Sequence, residues 1–236
     1  MKTNKLKSLL EEFGINVRFE YDLKKKNWFN IGGKTKVFYK ADNLKDLICF
    51  IKKINNDEKI FILGAGSNTL ISDGLFDGVV IKLGKNFNNI SMLGEDIIIA
   101  GTAVLDKTLS DFAIKNSLSG FEFLSCIPGT IGGGIKMNAG CFGKEFKDIL
   151  LSIQVINNEG NVLTIPVEEI KFEYRKNNLP ENLIFLSASF KGVKADSKKI
   201  EEETTRLKTE KEKSQPTRVK TSGSTFKNPI LQTQKK

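Results

Sequence analysis

Lys59-Ile60-Phe61-Ile62-Leu63-Gly64-Ala65-Gly66-Ser67-Asn68 runs an apolar stretch straight into a glycine loop. A short apolar run closed by glycine reads as a buried strand ending in a tight turn. Glycine at 64 and 66 lets the backbone turn sharply and come close to a bound group. The loop amides, Ser67 Oγ and Asn68 Nδ2 can then donate to anionic oxygens. A Rossmann fingerprint needs a third glycine where Thr69 stands, and a P-loop needs Gly-Lys-Ser/Thr. The chain has neither. Taken alone, the loop is equally a strand-ending turn with no ligand.

A second stretch changes the balance. Ile127-Pro128-Gly129-Thr130-Ile131-Gly132-Gly133-Gly134 offers backbone bare of side chains at several positions, and Met137-Asn138-Ala139-Gly140 follows. Such a surface can lie against a flat ring system with amides aimed at ring heteroatoms, and a flavin suits it. The two loops are expected to grip the two ends of one dinucleotide. The candidate cofactor residues are Gly64, Ala65, Gly66, Ser67, Asn68, Pro128, Gly129, Thr130, Gly132, Gly133, Asn138 and Gly140.

Outward from these loops, residues 1–27 are polar and lysine-rich and read as a short helix with an extended lead-in. Val37-Phe38-Tyr39, Val79-Val80-Ile81, Ile97-Ile98-Ile99-Ala100 and Leu183-Ile184-Phe185-Leu186 read as strands. Leu44, Leu47, Ile48, Ile51 and Ile54 fall at helical spacing behind Asn43, a suitable N-cap. Leu105, Leu109, Phe112 and Ala113 mark a second amphipathic helix. Leu151–Ile156 and Asn161–Ile165 flank Asn157-Asn158-Glu159-Gly160 as a hairpin. Strands and helices alternate without a regular βαβ rhythm, so the class is α+β rather than a doubly wound sheet. Ser197 to Lys213 reads as a helix with glutamates early and lysines late, matching the macrodipole. From Lys194 to Lys236 only seven residues in 43 are apolar, too few for a core of their own.

Composition sets outer limits. The 236 residues are 39% hydrophobic and 28% charged, in the globular range. No apolar run reaches the ~20 residues of a membrane span. The N-terminus has no apolar export signal, so a cytoplasmic protein is expected. Cys49, Cys126 and Cys141 lack metal-ligand spacing and read as buried reduced thiols, and no metal site is expected. Histidine is absent, so proton transfer falls to other side chains. The net charge of +9 comes from scattered lysines mixed with acids, not from an arginine-rich run. A solvated basic surface follows, with no nucleic-acid groove.

Seven motifs stand in order: Trp28-Phe29-Asn30-Ile31-Gly32-Gly33, the Gly64–Asn68 loop, Gly120-Phe121-Glu122-Phe123, Ile127–Gly134, Met137–Gly140, Tyr174-Arg175 and Gly223-Ser224-Thr225-Phe226-Lys227-Asn228-Pro229. Together they resemble the UDP-N-acetylenolpyruvoylglucosamine reductase (UDP-N-acetylmuramate dehydrogenase) family, in its shorter type. Cys141-Phe142 stands where the resemblance leads one to expect Ala-Tyr. The resemblance implies a PCMH-type FAD-binding fold spanning 28–193, in subdomains of about 28–95 and 96–193. A lead-in of 1–27 precedes it, and 194–236 begins a substrate-binding domain. It implies FAD as cofactor and NADPH as reductant. In the implied reaction NADPH reduces the flavin, hydride then reaches C3 of an enolpyruvyl ether on a UDP-sugar, and a proton is added at C2. A monomer is expected.

Arg175 matches the family's catalytic arginine, suited to clamp the substrate carboxylate and stabilise enolate-like charge. Without the resemblance it reads as a surface ion pair with Glu173. Ser224 matches the proton donor, a role that needs polarisation by Lys220, Lys227 or Arg175. Tyr174, Lys213, Lys227 and Asn228 match substrate-binding positions. The resemblance also implies sequence beyond the Lys-Asn-Pro motif, including a catalytic glutamate, whereas this chain has seven residues after Pro229. The expectation is a chain that binds FAD and reduces substrate poorly. Two other classes fit the residues less well: a flavin-binding remnant without catalysis, and a basic nucleic-acid-binding module. Bound flavin colour separates the module from the other two, and substrate-dependent flavin reoxidation separates enzyme from remnant.

Overall fold

The computed structural model describes residues 6–8, 10–54 and 58–215. Two sheets have separate cores, and strands of the second contribute side chains to both. The first sheet comprises β1 (Val17–Asp22), β2 (Lys34–Ala41), β3 (Ile60–Ile62) and β4 (Leu75–Leu83), in the order β1-β2-β4-β3. β1 runs antiparallel to β2, while β2, β4 and β3 are parallel. Helix α1 (Leu44–Ile54) makes the crossover between β2 and β3. Asn43 caps it as expected, its Oδ1 accepting from the Asp46 amide at 2.8 Å. Leu47, Phe50, Ile51 and Ile54 bury against Val37, Tyr39, Val79 and Ile81, with the Tyr39 and Phe50 rings stacked 3.8 Å apart.

Two expectations change here. Residues 17–22 are not a lead-in but the edge strand β1, held by a ladder to β2. The strand β3 is the opposite edge and is not buried, for Phe61 is 41% exposed. Apolar content at 59–63 reports a strand but cannot tell an edge from a centre, because that depends on pairing distant in sequence.

The second sheet is antiparallel: β5 (Ile90–Leu93), β6 (Ile97–Gly101), β10 (Leu150–Ile156), β11 (Val162–Pro166) and β14 (Ile184–Lys191), in the order β11-β10-β14-β6-β5. The expected division between 95 and 96 would cut the β5–β6 hairpin, so this sheet begins before it, at Ile90. Between these strands come α2 (Asp106–Lys115), β7 (Leu118–Ser119), α3 (Ile131–Lys136), β8 (Gly140–Cys141), β9 (Lys144–Glu145), β12 (Phe172–Glu173) and β13 (Lys176–Asn177). β15 (Val193–Lys194) and α4 (Ser197–Ser214) follow. The expected turn at 157–160 is present, with Asn157 Oδ1 accepting from the amides of Glu159 and Asn161.

Strand β14 joins the two cores. Its side chains alternate across the sheet with a period of two. A register shift against β10, between the Ser187 and Phe185 pairings, interrupts that alternation, so Ile184 and Leu186 enter the first core while Phe185, Ala188 and Phe190 enter the second. Strand β10 does the same, with Ile156 on one side and Ile153 and Val155 on the other.

Helix α4 begins at Asp196, whose carboxylate accepts from the Lys198 and Lys199 amides. Its first turn carries lysines, and the glutamates start only at Glu201, so Asp196 supplies the negative charge at the helix start. Ile200, Thr204 and Leu207 are buried, and the helix lies on α2 and the 3-10 helix Glu122–Cys126. Ile200 and Leu207 thus bury against elements upstream of the helix. Among the described residues no helix is long and apolar enough to cross a membrane.

Candidate functional site

The first glycine loop is clamped from below by the Trp28-containing motif. Gly66 has φ +70, and a Cβ there would stand 2.2 Å from the Lys26 carbonyl oxygen and 2.8 Å from Asn27 Cα. Its own oxygen accepts from the Trp28 amide at 2.9 Å. Buried Asn27 ties this platform together, donating from Nδ2 to the Leu23 and Ile31 oxygens. Lys82, which follows the apolar run Val79-Val80-Ile81 of β4, donates to the Gly64 oxygen at 2.6 Å. Burial, then the neighbouring Lys26, holds its ammonium below the usual lysine range. Ser67 is buried within the loop and Asn68 is exposed.

The two loops touch. A Cβ on Gly64 would lie 2.5 Å from Thr130 Oγ1. Thr130 is extended, pairs with Leu105 and leads into α3, while the amides of Ile131 and Gly132 donate to the Val104 and Thr102 oxygens. Three consecutive glycines oppose helix formation by about 1 kcal/mol each, so α3 has other reasons for them. Gly134 is packed, since a Cβ would meet the Phe146 ring at 2.2 Å. Gly132 faces Thr102 at 3.1 Å. Gly133 has nothing nearer than Thr130 Oγ1 at 3.7 Å and lies exposed. Internal packing explains two of the three, and Gly133 leaves a bare patch open to a ligand.

Behind this corner sits Asp106, fully buried, with Oδ2 2.7 Å from where a Gly129 Cβ would be. Neither carboxyl oxygen has a hydrogen-bond partner among the described residues. Burial raises its pKa well above the ordinary carboxylate value of 3.8. The unfolded chain releases this proton near that value and the folded chain keeps it, so stability falls as pH rises from about 4 toward the folded pKa. The slope is at most about 1.4 kcal/mol per pH unit for one proton. Asp106→Asn removes the titration. In urea unfolding of the flavin-free protein, the variant is expected to gain on the parent between pH 4.5 and 7.5; a constant difference would refute the burial argument.

At the far end of α3, about 9 Å along its axis, Asn138 has φ +40 and no exposed surface. Its Nδ2 donates to Glu145 Oε2 and the Glu173 oxygen, and its Oδ1 accepts from the Lys147 amide. The side chain expected to contact cofactor is thus fully engaged by protein groups. Gly140 is likewise required internally, for a Cβ would sit 2.4 Å from the Lys144 oxygen.

Both residues instead position Arg175. The β12–β13 hairpin turns at Tyr174-Arg175, and Arg175 takes φ +60, a left-handed conformation that costs a non-glycine residue about 1–2 kcal/mol. Its guanidinium donates to the Asn138 and Gly140 oxygens at 3.3 and 3.2 Å and lies 4.9 Å from the Tyr174 ring. Glu173 pairs with Lys176, not with Arg175, so the surface ion-pair reading of Arg175 fails. Lys213 lies on the exposed face of α4, one turn after Thr209. The lysine of that helix that reaches the second loop is Lys211, which bonds the Cys126 oxygen. Ser224, Lys227 and Asn228 lie outside the described residues, as does Lys220.

Sequence reading missed Lys82, Asp106 and Lys211. Lys82 had a signal, a charge within Val79-Val80-Ile81-Lys82-Leu83, whereas the other two look like ordinary surface charges. Residues 35–166 match the model of an FAD binding domain family. Over all 236 residues the chain is 64% identical to UDP-N-acetylenolpyruvoylglucosamine reductase of Pelagibacter ubique (strain HTCC1062), covering 78% of that protein. A reductase of the same name from Rickettsia typhi (strain ATCC VR-144 / Wilmington) is 46% identical over 211 residues, 89% of this chain and 71% of that one. The crystal structure of UDP-N-acetylenolpyruvylglucosamine reductase from Thermus caldophilus superposes with a TM-score of 0.79 at 29% identity, over 90% of this chain and 76% of that chain.

Proposed function

Because the chain belongs to the UDP-N-acetylenolpyruvoylglucosamine reductase family, we infer that it is an FAD-dependent oxidoreductase using NADPH to reduce UDP-N-acetylglucosamine enolpyruvate to UDP-N-acetylmuramate. On this reading the chain serves peptidoglycan precursor synthesis, and with it cell shape and division, as a monomer of the cytoplasm. The observation that carries the reading at the level of residues is the corner where Gly64 meets Thr130 beside the bare Gly133.

That corner fits the cofactor. The Gly66 and Ser67 amides suit a pyrophosphate, Lys82 beneath Gly64 offsets its charge, and Gly133 leaves room for a flat ring. FAD bound there supplies the hydride chemistry. Arg175 clamps the substrate carboxylate and stabilises the negative charge that develops as the double bond is reduced. Tyr174 supports the guanidinium from its ring face. Ser224 is the proton donor, with Lys227 and Asn228 binding the phosphate-bearing half of the substrate. On α4, Lys211 is the better-placed cation, with Lys213 left to meet substrate from the exposed face.

Titration of the flavin-free chain with FAD, read by visible absorbance and flavin fluorescence, tests the cradle. The parent is expected to turn yellow. Gly66→Ala must adopt a left-handed backbone and displace the Lys26 carbonyl, a cost of at least about 1–2 kcal/mol, so its affinity is expected to fall about tenfold or more. A parent that stays colourless in excess FAD would end this reading.

A further inference from the structure

Two thiols meet beside the arginine turn. Cys126 closes the 3-10 helix Glu122–Cys126 just ahead of the second glycine loop, and Cys141 ends β8, which packs on that helix. This packing brings the two thiols within interaction range of each other, and neither is in a disulfide. Their surroundings are cationic. Lys211 bonds the Cys126 oxygen, and Arg175 bonds the oxygen of Gly140, next to Cys141. Interaction with Cys141, with Ser125 and then Lys211 and Lys208, draws the Cys126 thiol down to about 6 against the opposing effect of burial. The same interaction, with burial, pushes Cys141 upward. With Lys211 on its own carbonyl, Cys126 is the sulfur favoured to carry the pair's negative charge.

We propose that Cys126 and Cys141 form a peroxide-reactive dithiol that closes to a disulfide behind the Arg175 turn. The Cys126 thiolate attacks one peroxide oxygen, the O–O bond breaks, and a sulfenic acid forms as hydroxide leaves. Cys141 gives its proton to that hydroxide and attacks the sulfenic sulfur, so the S–S bond forms as the S–O bond breaks. The hydroxide that leaves the sulfenic sulfur takes up from solvent the proton Cys126 had released, so two thiols and one peroxide become a disulfide and two waters. Peroxide has a source at hand, because reduced flavin exposed to oxygen releases it. Closure draws β8 toward the 3-10 helix. The Gly140 oxygen, next to Cys141, anchors Arg175, so the anchor moves with it. That last consequence rests on the reductase reading, whereas disulfide formation does not.

The test uses the full chain carrying Cys49→Ser, which removes the third thiol, exposed on α1 and not buried as the sequence suggests. After a small molar excess of hydrogen peroxide, intact mass is expected to drop by two hydrogens with both thiols lost to alkylation and restored by dithiothreitol. Cys141→Ser is expected to stop at a sulfenic acid trapped by dimedone. In the flavin-loaded chain, substrate-dependent flavin reoxidation is expected to slow several-fold on oxidation and recover on reduction. Two free thiols after treatment, a sulfinic acid on Cys126 beside free Cys141, or a disulfide between two chains would overturn the dithiol. An intramolecular disulfide with unchanged reoxidation would overturn the coupling to Arg175.

Discussion

Arg175→Ala is expected to slow substrate-dependent reoxidation of the bound flavin by about 10²–10³-fold, the loss of about 2.7–4 kcal/mol of charge stabilisation. The NADPH half-reaction is expected to change little, because the guanidinium is held at the Asn138 and Gly140 carbonyls, beyond the loop that meets Gly64. Arg175→Lys will not rescue it, since an ammonium cannot keep two carbonyl anchors and also present a planar fork. The backbone supplies a complementary check. Arg175 stands at φ +60, where glycine belongs, so the strain is tolerated for the sake of the side chain. Arg175→Gly relieves about 1–2 kcal/mol of strain against two lost hydrogen bonds, leaving stability close to the parent while activity is lost. Anaerobic stopped-flow of the two half-reactions, with urea unfolding alongside, measures both. Equal slowing of both half-reactions would remove Arg175 from the role of substrate clamp.

Phe146→Ala is expected to cost about 3–5 kcal/mol in urea unfolding, a large share of the 5–15 kcal/mol typical of a domain. Its ring is fully buried, 6.2 Å from the rings of both Phe123 and Phe190, and it fills the space left by the absent Cβ of Gly134. The ring thereby sets the height of α3, so FAD affinity should fall with it. Gly134→Ala offers a sharper contrast. Helix propensity alone says that alanine stabilises a helix by about 1 kcal/mol over glycine. A Cβ 2.2 Å from the ring says the opposite, and overpacking of this kind costs about 1–3 kcal/mol. Combining Gly134→Ala with Phe146→Leu should recover part of the loss, a coupling that a double-mutant cycle reads directly. A cost below about 1 kcal/mol for Phe146→Ala would mean that the second core does not depend on this ring.

Much of the local structure was legible because it depends on neighbours in the chain. The period of Leu44, Leu47, Ile51 and Ile54 with a capping Asn43 defines α1 without help from elsewhere. The Asn157–Gly160 turn closes through side-chain oxygens two to four residues away. The Gly120-Phe121-Glu122 motif is equally local, with Glu122 accepting from Ser119 Oγ and the Gly120 amide. Edge position was not legible. β1 and β3 differ from central strands only in what pairs beside them, and those partners are set by folding. The start of the second sheet was missed for the same reason.

The sequence by itself determined that two glycine-rich segments exist, that they follow or precede regular elements, and that backbone can approach a ligand there, because glycine acts at its own position. Only the tertiary structure decided which glycines are bare and which are packed. Gly133 is open while Gly134 is filled by Phe146, twelve residues away, and Gly64 is closed by Thr130 from another part of the chain. Tertiary structure also turned Asn138 from a contact residue into the anchor of Arg175, and brought Cys126, Cys141 and Lys211 to one place. The physical reason is that a side chain's hydrogen bonds and burial belong to the neighbours that folding brings to it, and those lie far off along the chain.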